Sequence, residues 1–556
     1  MRKTFIIVMS LVIVMTLFQI SNYTLIESKI VYEFSDGKQD LSTEDVEKYI
    51  SGSGKVNIVT RFQYDNFKVE NNLPEDASME EVDAYKKKVF ELGKKYHKTL
   101  NEKYASTLDI VNYDSCYISE YTPYCEYTFN ESEFVNNMDD ILSKFSSNKN
   151  VQTVFVKQSN NFVEDKVYAG MNYTRSYQLV QDDYVSGSGV KIGMLETGLP
   201  DFTHQNLDSV THTLHGNGTV HSVTEHATIM ANIICGEKGV AYGAQLYCNA
   251  LFGNDIVAEA DWFMNNGCDI VNMSFGEADP PGVYGADSAL ADYMVLAYDI
   301  IVCAAAGNDG QGDGYIGNPG MGYNVITVGA ATSDGNWAGF SSYEEGNYAR
   351  KPTIIAPGHN LSIQNMTGTY TGTSAACAFT TGTISLLLNY HPILKTKALQ
   401  VVAMVVACSG VDTAYGWGDV NGFNEYIGAG MLDFRRMYDE IYKTTSIHNV
   451  NPGTNIKLYE YSIYISSNRT IRACFTWPAY ANPSTIYGTP VVTDYDVFIK
   501  DEDGNILHRT TSSTDNVEVA TYTTTYKGTY YIQLYKVGNF PSGHTEDTIY
   551  FSYRYR

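Results

Sequence analysis

Residues 190–198 read VKIGMLETG: an apolar run that ends on a carboxylate and breaks at a glycine. A short apolar run bounded by a turn is the pattern of a strand buried on both faces. The same texture recurs as QLYCNALF, DIVNMSF, IIVCAAA and VITVGAA. Helical periods alternate with these runs: HATIMANIICG, IVAEADWFMNN, ADSALADYMVLAY, SAACAFTTGTISLLLNY and TKALQVVAMVVAC. From Val190 to about Asp433 the alternation predicts an α/β unit, a mostly parallel sheet covered by helices on both faces. Functional groups of such sheets gather past the carboxyl ends of strands, where Glu196 and Asn308 fall.

The strongest chemical signal is Gly372-Thr373-Ser374-Ala375-Ala376, which opens a long apolar helix. A serine in the first turn of a helix places its own N–H toward a developing oxyanion, and small neighbours admit a substrate backbone. Alone, the tripeptide is an ordinary helix cap. Three companions change its reading. His226 stands at the start of HATIMANIICG, Glu196 at the end of a buried strand suits the orienting of an imidazole, and AAAGNDG presents the Asn308 amide after another strand.

In the order Glu196, His226, Asn308, Ser374 these segments resemble the subtilisin family, with its Asp-Ser/Thr-Gly, His-Gly-Thr, Ala-Ala-Gly-Asn and Gly-Thr-Ser-Met-Ala motifs. GVAYGAQLY, DIVNMSFG, GNPGMGYNVITVGA, APG at Ala356 to Gly358 and GAGMLD extend the resemblance from about Gly189 to Met437. It implies a serine endopeptidase with Ser374 as nucleophile, His226 as general base and then acid, Glu196 as third member of the triad, and Asn308 as oxyanion donor. Ser274, Gly276 and Gly307 are the expected substrate-binding positions. Three positions depart from the family pattern: Glu196 replaces aspartate, Ala227 replaces glycine and Ala378 replaces proline. Glu196 leaves a second reading open, a catalytically silent protease-like scaffold or binding protein.

Met-Arg-Lys followed by an apolar run from Phe5 to Phe18 predicts a signal peptide or N-terminal anchor over residues 1–28, hence a secreted or cell-surface location. A membrane is a partner only if that segment stays uncleaved. Residues 50–160 alternate strand, helix, strand pair, helix and strand, a small α+β pattern whose position resembles the family's propeptide, cut off by the enzyme itself within Ser159 to Ser188. The catalytic unit is expected over 170–445. Residues 449–556, rich in Tyr and Thr with short alternating strands, predict an all-β sandwich. It leaves open contact with a cell surface or glycans.

With 38 Lys and Arg against 63 Asp and Glu, the formal charge of -25 repels phosphate backbones, which excludes nucleic acid and leaves protein or peptide substrates. No cofactor is expected for catalysis. His212, His215, His221 and His226 lack the helical spacing of a metal site. Asp494, Asp496, Asp501 and Asp503 admit structural Ca²⁺, but turn-forming and solvated acids are the favoured reading, so no calcium site is assigned. Nine cysteines are too sparse for a disulfide scaffold. Cys116 and Cys125 admit a hairpin disulfide, while Cys235, Cys248, Cys268, Cys303, Cys377 and Cys408 sit in apolar runs as buried thiols.

Overall fold

Val56 to Phe62 are buried without exception, and this run forms the middle strand of an antiparallel sheet near the amino terminus. The computed structural model of the chain describes residues 30–33, 55–158 and 185–555, apart from positions 65–66, 111, 216–221, 252–255, 277–283, 311–314, 333–334, 344–349, 364–365, 367–368, 411–421 and 481–489. The expected signal or anchor (1–28) and most of the expected cleavage stretch (159–184) lie outside the described residues. Among the described residues, no helix is long and apolar enough to cross a membrane.

The first sheet comprises β1 (Ile30–Glu33), β2 (Lys55–Phe62), β3 (Ser115–Ile118), β4 (Tyr124–Asn130) and β5 (Val151–Gln158), ordered β1-β5-β2-β4-β3. Two helices accompany it, α1 (Met79–Ala105) and α2 (Glu131–Ser147). A capping box starts α1: the Ser78 hydroxyl accepts from Glu81 N, and the Glu81 carboxylate accepts from Ser78 N at 2.8 Å. Cys116 lies opposite Tyr127 and Cys125 opposite Ile118, so register sets the two thiols off and both are free. The hairpin disulfide admitted by the sequence is not formed.

The second sheet has seven strands, all parallel: β6 (Lys191–Glu196), β7 (His212–Leu214), β8 (Gln245–Ala250), β9 (Ile270–Met273), β10 (Ile301–Ala305), β11 (Ile326–Ala331) and β12 (Ile354–Pro357). Their order is β12-β11-β10-β9-β6-β8-β7. The connecting helices are α3 (Glu225–Cys235), α4 (Ile256–Asn266) and α5 (Ala286–Tyr298), followed by α6 (Thr373–Tyr390), α7 (Ala398–Cys408) and the short α8 (Phe434–Asp439). Strands add to one side of β6 through β8 and β7, and to the other from β9 onward. Right-handed crossovers on opposite sides of β6 put helices on opposite faces, and the order reverses between β6 and β9. That switch point is a crevice at the carboxyl ends. Two of the strands, β7 and β12, are not legible as separate apolar runs. His212 to Leu214, too short and polar to read as an apolar run, is drawn into the sheet by pairing with Leu246 to Cys248.

The third region is a sandwich of two four-stranded antiparallel sheets. One is β13 (Thr444–Asn449), β20 (Asp547–Tyr555), β15 (Thr470–Thr476) and β18 (Val517–Thr523); the other is β14 (Ile456–Ile465), β19 (Gly528–Lys536), β16 (Tyr495–Lys500) and β17 (Ile506–Ser512). Phe475, Trp477, Val497, Ile532 and Phe551 fill the space between them. Two guanidinium groups join the sandwich to the parallel sheet. Arg472 has no exposed surface and donates to Val406 O (3.2 Å), Gly422 O (2.9 Å) and Ala429 O (3.0 Å). Arg554 donates to Ala407 O (2.6 Å) and Ser409 O (3.0 Å). Both cap the carbonyl end of α7, where the helix dipole favours cations.

The first region is joined to the second at His97 of α1. Tyr64 donates to Asn101 Oδ1 at 2.7 Å, so its oxygen accepts from His97 Nδ1 at 2.8 Å, and His97 Nε2 accepts from Tyr293 of α5 at 2.8 Å. The ring is therefore neutral, and burial, with Arg61 nearby, holds its pKa down from 6.5 to about 3. Its contribution to stability is complete above pH about 6.5 and declines as pH falls from there toward 3. Urea midpoints measured at pH 7.5 and 4.5 in a Ser374→Ala background should fall more for the histidine protein than for His97→Gln. Asp261, which burial pushes up to about 7, titrates in both proteins and cancels in the comparison. Equal losses would remove the imidazole as the acid-sensitive group.

Candidate active site

Glu196 is the last residue of β6 and has no exposed surface. Its Oε2 lies 2.9 Å from Nδ1 of His226, in the first turn of α3. The local chain explains the approach. Leu199 N donates to Ser222 O and Thr224 N donates to Leu199 O, both at 3.0 Å, which straps the end of β6 to the start of α3. A Cβ on Gly198 would fall 2.3 Å from Thr224 Cγ2, so the turn after Glu196 has room only for glycine. Thr224 caps α3 by accepting from Ala227 N.

Ser374 is the second residue of α6 and is 3% exposed. Its Oγ donates to Ser274 O at 3.0 Å, and Ser274 Oγ donates back to Ser374 O at 3.0 Å. Asn272 of β9 connects this pair to the acid. Its Nδ2 donates to Glu196 Oε1 (3.3 Å) and Ser274 Oγ (2.8 Å), and its Oδ1 accepts from Thr381 Oγ1 (3.0 Å). One polar chain thus runs His226, Glu196, Asn272, Ser274, Ser374 across the crevice between β6 and β9.

Asn308 follows β10. Its Oδ1 accepts from Thr373 N (2.8 Å) and Thr373 Oγ1 (3.2 Å), so the amide is held by its oxygen and presents Nδ2 as the donor end. Gly307 N donates to Thr373 Oγ1 at 3.1 Å. The φ of Gly307 is +109°, and a Cβ there would lie 2.9 Å from Ser342 Oγ. The space around Gly276 is open, with nothing within 4 Å of where a Cβ would be. Ser274, expected along the substrate, has both its oxygens engaged with Ser374.

Of the sequence-predicted residues, the structure brings together Glu196, His226, Ser374 and Ser274 through one chain of contacts, and Asn308 and Gly307 through Thr373. Asn272 and Thr373 escaped the sequence reading as site residues. A signal existed for Asn272: an amide in an otherwise apolar strand must find partners once buried.

The other histidines serve different neighbours. His212 stacks on Phe202 at 3.6 Å, His215 Nδ1 approaches Asn249 Oδ1 (3.0 Å) and Glu259 Oε2 (3.2 Å), and His221 lies outside the described residues. Asp494 and Asp496 stand at the start of β16, Asp501 and Asp503 past its end. A rise of about 3.3 Å per residue puts the two pairs roughly 15–20 Å apart, too far for one calcium ion. Asp501 instead accepts from Asn505 N and Nδ2 at 2.8 and 2.9 Å, as a turn residue.

A profile described as the subtilase family matches residues 187–418. Subtilisin DY of Bacillus licheniformis is 31% identical over 267 residues, which cover 44% of this chain and 92% of that protein. The chain belongs to the subtilase family. Subtilisin Savinase of Lederbergia lenta is 29% identical over 254 residues, covering 43% of this chain and 90% of the relative. Among solved structures, the prenylagaramide maturation protease PagA is similar at 21% identity and a TM-score of 0.39, over 48% of this chain and 98% of that one. As a subtilase the protein is a serine endopeptidase.

Asn272 offers a test of the polar chain in this subtilase. Asn272→Leu keeps the volume and leaves Glu196 Oε1 with one hydrogen bond fewer. Such a bond to a charged group is worth about 1.5–3 kcal/mol, which converts to a loss of roughly 10- to 100-fold in kcat if the bond orients the acid. KM should change little. Steady-state kinetics on a chromogenic peptide, with the urea midpoint measured beside them, check this; an unchanged kcat would reduce Asn272 to a packing residue.

Proposed function

We propose that this subtilase is an exported endopeptidase that hydrolyses peptide bonds through an acyl-enzyme on Ser374, with Glu196 and His226 completing the triad, and that it severs its own N-terminal region. The observation that carries the reading is the 2.9 Å approach of Glu196 Oε2 to His226 Nδ1. A carboxylate on Nδ1 fixes the tautomer that leaves Nε2 as the base. Ser374 Oγ turns from Ser274 O toward that nitrogen, gives up its proton and attacks the scissile carbonyl carbon. The oxyanion accepts from Asn308 Nδ2 and Ser374 N, aided by the amino-terminal dipole of α6. His226 passes its proton to the leaving amine. Water then repeats the sequence on the ester and frees Ser374.

Glutamate in place of aspartate suits this site because the longer side chain is held at both oxygens, by His226 and by Asn272. An extended peptide pairing beside Ser274 to Gly276 would be read through its backbone, which favours broad protein and peptide substrates. No metal has a role in these steps. The unit over 55–158 is read as the propeptide, on its position ahead of the parallel sheet.

Two experiments test the proposal. Intact mass of the product from a protease-free host should show the wild type cut between Ser159 and Ser188 and the Ser374→Ala protein whole; identical processing of both would assign the cut to another protease. Glu196→Gln should fold and lose most of its turnover at neutral pH, on the scale of the about 10⁴-fold loss seen for acid-to-amide change in another serine protease. Glu196→Asp should also be slow, since a shorter acid would stop short of His226. A Gln protein as fast as the wild type would take Glu196 out of the triad.

A further inference from the structure

At one end of the sandwich, segments from both of its sheets surround a pocket of about 310 Å³. Tyr464 and Ile465 close β14, Ser466 and Arg469 belong to the turn into β15, Lys527 stands just ahead of β19, and Tyr555 ends β20. The volume lies at the lower end of the range for small-molecule sites. Two cations and no acid line it, in a chain with 63 acidic residues against 38 basic ones. Such a lining favours an anion.

The turn that carries Arg469 is pinned from beneath. Thr524, with no exposed surface, donates through Oγ1 to Ser466 O at 2.8 Å, and the same hydroxyl accepts from Arg469 N at 3.0 Å. Its own backbone accepts from Asn468 N at 2.7 Å and donates to Arg469 O at 2.9 Å. Asn468 takes a φ of +56°, the left-handed turn conformation that asparagine tolerates. These bonds occupy the backbone and leave the side chain outward. Arg469 and Lys527 are exposed, and among the described residues no carboxylate pairs with either.

Two rings border the same space. Tyr464 is 68% exposed although Ile463 and Ile465 beside it in the strand are buried, and Tyr555 is 39% exposed. Lys527 Nζ stands 5.7 Å from the Tyr464 ring centroid. Lys443 Nζ stands 4.3 Å from that of Tyr555, but its charge is met by Glu440. A pyranose fits this mixture: its C–H face covers an exposed ring, and a carboxylate on it meets a guanidinium fork in two parallel bonds. Inorganic phosphate would leave both rings uncovered. An extended acidic peptide would be read chiefly through a strand backbone, whereas this pocket presents side chains.

We infer that the pocket binds a carboxylated pyranose, and that the sandwich thereby holds the protease on acidic polysaccharide. All six lining residues belong to the sandwich and none to the polar chain from His226 to Ser374, so holding and cleaving are separable. The test uses the full chain carrying Ser374→Ala and fluorescence polarisation of two end-labelled probes, tetragalacturonate and a hyaluronan tetrasaccharide. At least one probe should bind and be displaced by its unlabelled acid, but not by its methyl ester, by inorganic phosphate or by tetraglutamate at the same concentration. Arg469→Gln should weaken binding about 10- to 100-fold, the range for a hydrogen bond to a charged group, and Tyr464→Ala roughly 2- to 10-fold, the range for an aromatic contact. In the chain with Ser374 intact, Arg469→Gln should leave kcat/KM on a chromogenic peptide unchanged. Failure of both probes to bind overturns the inference, as does displacement by the ester, by phosphate or by tetraglutamate as effective as that by the acid. An Arg469→Gln protein that binds like its parent overturns the assigned pocket. Should that variant not fold, Lys527→Gln decides: weaker binding supports the pocket, unchanged binding overturns it.

Discussion

A carboxylate with no exposed surface must be matched on every oxygen, and Glu196 imposes that demand at the centre of the largest sheet. The cost of leaving an ionised group buried and unmatched is several kcal/mol, so its neighbours are dictated rather than chosen. His226 answers one oxygen and Asn272 the other. Because Asn272 also donates to Ser274, whose hydroxyl holds the Ser374 carbonyl, the position of the acid fixes that of α6. Strand order matters for the same reason. Only where β6 and β9 lie side by side can an acid on one strand meet an amide on the next.

The three sheets are less independent than the changes of texture along the chain suggest. α1 lends its Phe90 to the core of the parallel sheet, and the sandwich lends two guanidinium groups to the end of α7. Lys351, buried and donating to Val325 O at 2.7 Å, and Asp292, which accepts from Tyr323 N and Asn324 N, show the same habit within the parallel region. Each supplies a partner for a backbone group that the sheet leaves unpaired.

Much of this was readable from the sequence. Apolar runs long enough to span a sheet announced β6, β8, β9, β10 and β11, and ordered motifs singled out Glu196, His226, Asn308 and Ser374 as candidates. Short strands were harder, since His212 to Leu214 and Ile354 to Pro357 owe their form to a neighbouring strand rather than to their own pattern. The row of aspartates from 494 to 503 admitted a shared ion but read better as turn-forming acids, and the intervening strand parts the two pairs. Asn272 was hidden by its apolar surroundings. Arg472 and Arg554 were invisible because a charged residue reads as solvated until its partner, far away in the chain, is known.

The capping of α7 by Arg472 and Arg554 sets a timetable. Arg554 lies 147 residues beyond the carbonyl of Ala407 that it caps, and Arg472 lies 66 beyond that of Val406. At about 5–20 residues per second, synthesis delivers the second guanidinium roughly 7–30 s after the carbonyl it serves. During that interval the last long helix of the parallel sheet has an open end, and the helix that carries Ser374 lacks its finished neighbour. The capping of α7, and with it the neighbour of the helix that carries Ser374, is thus finished only after the last strand of the sandwich, β20, has been made.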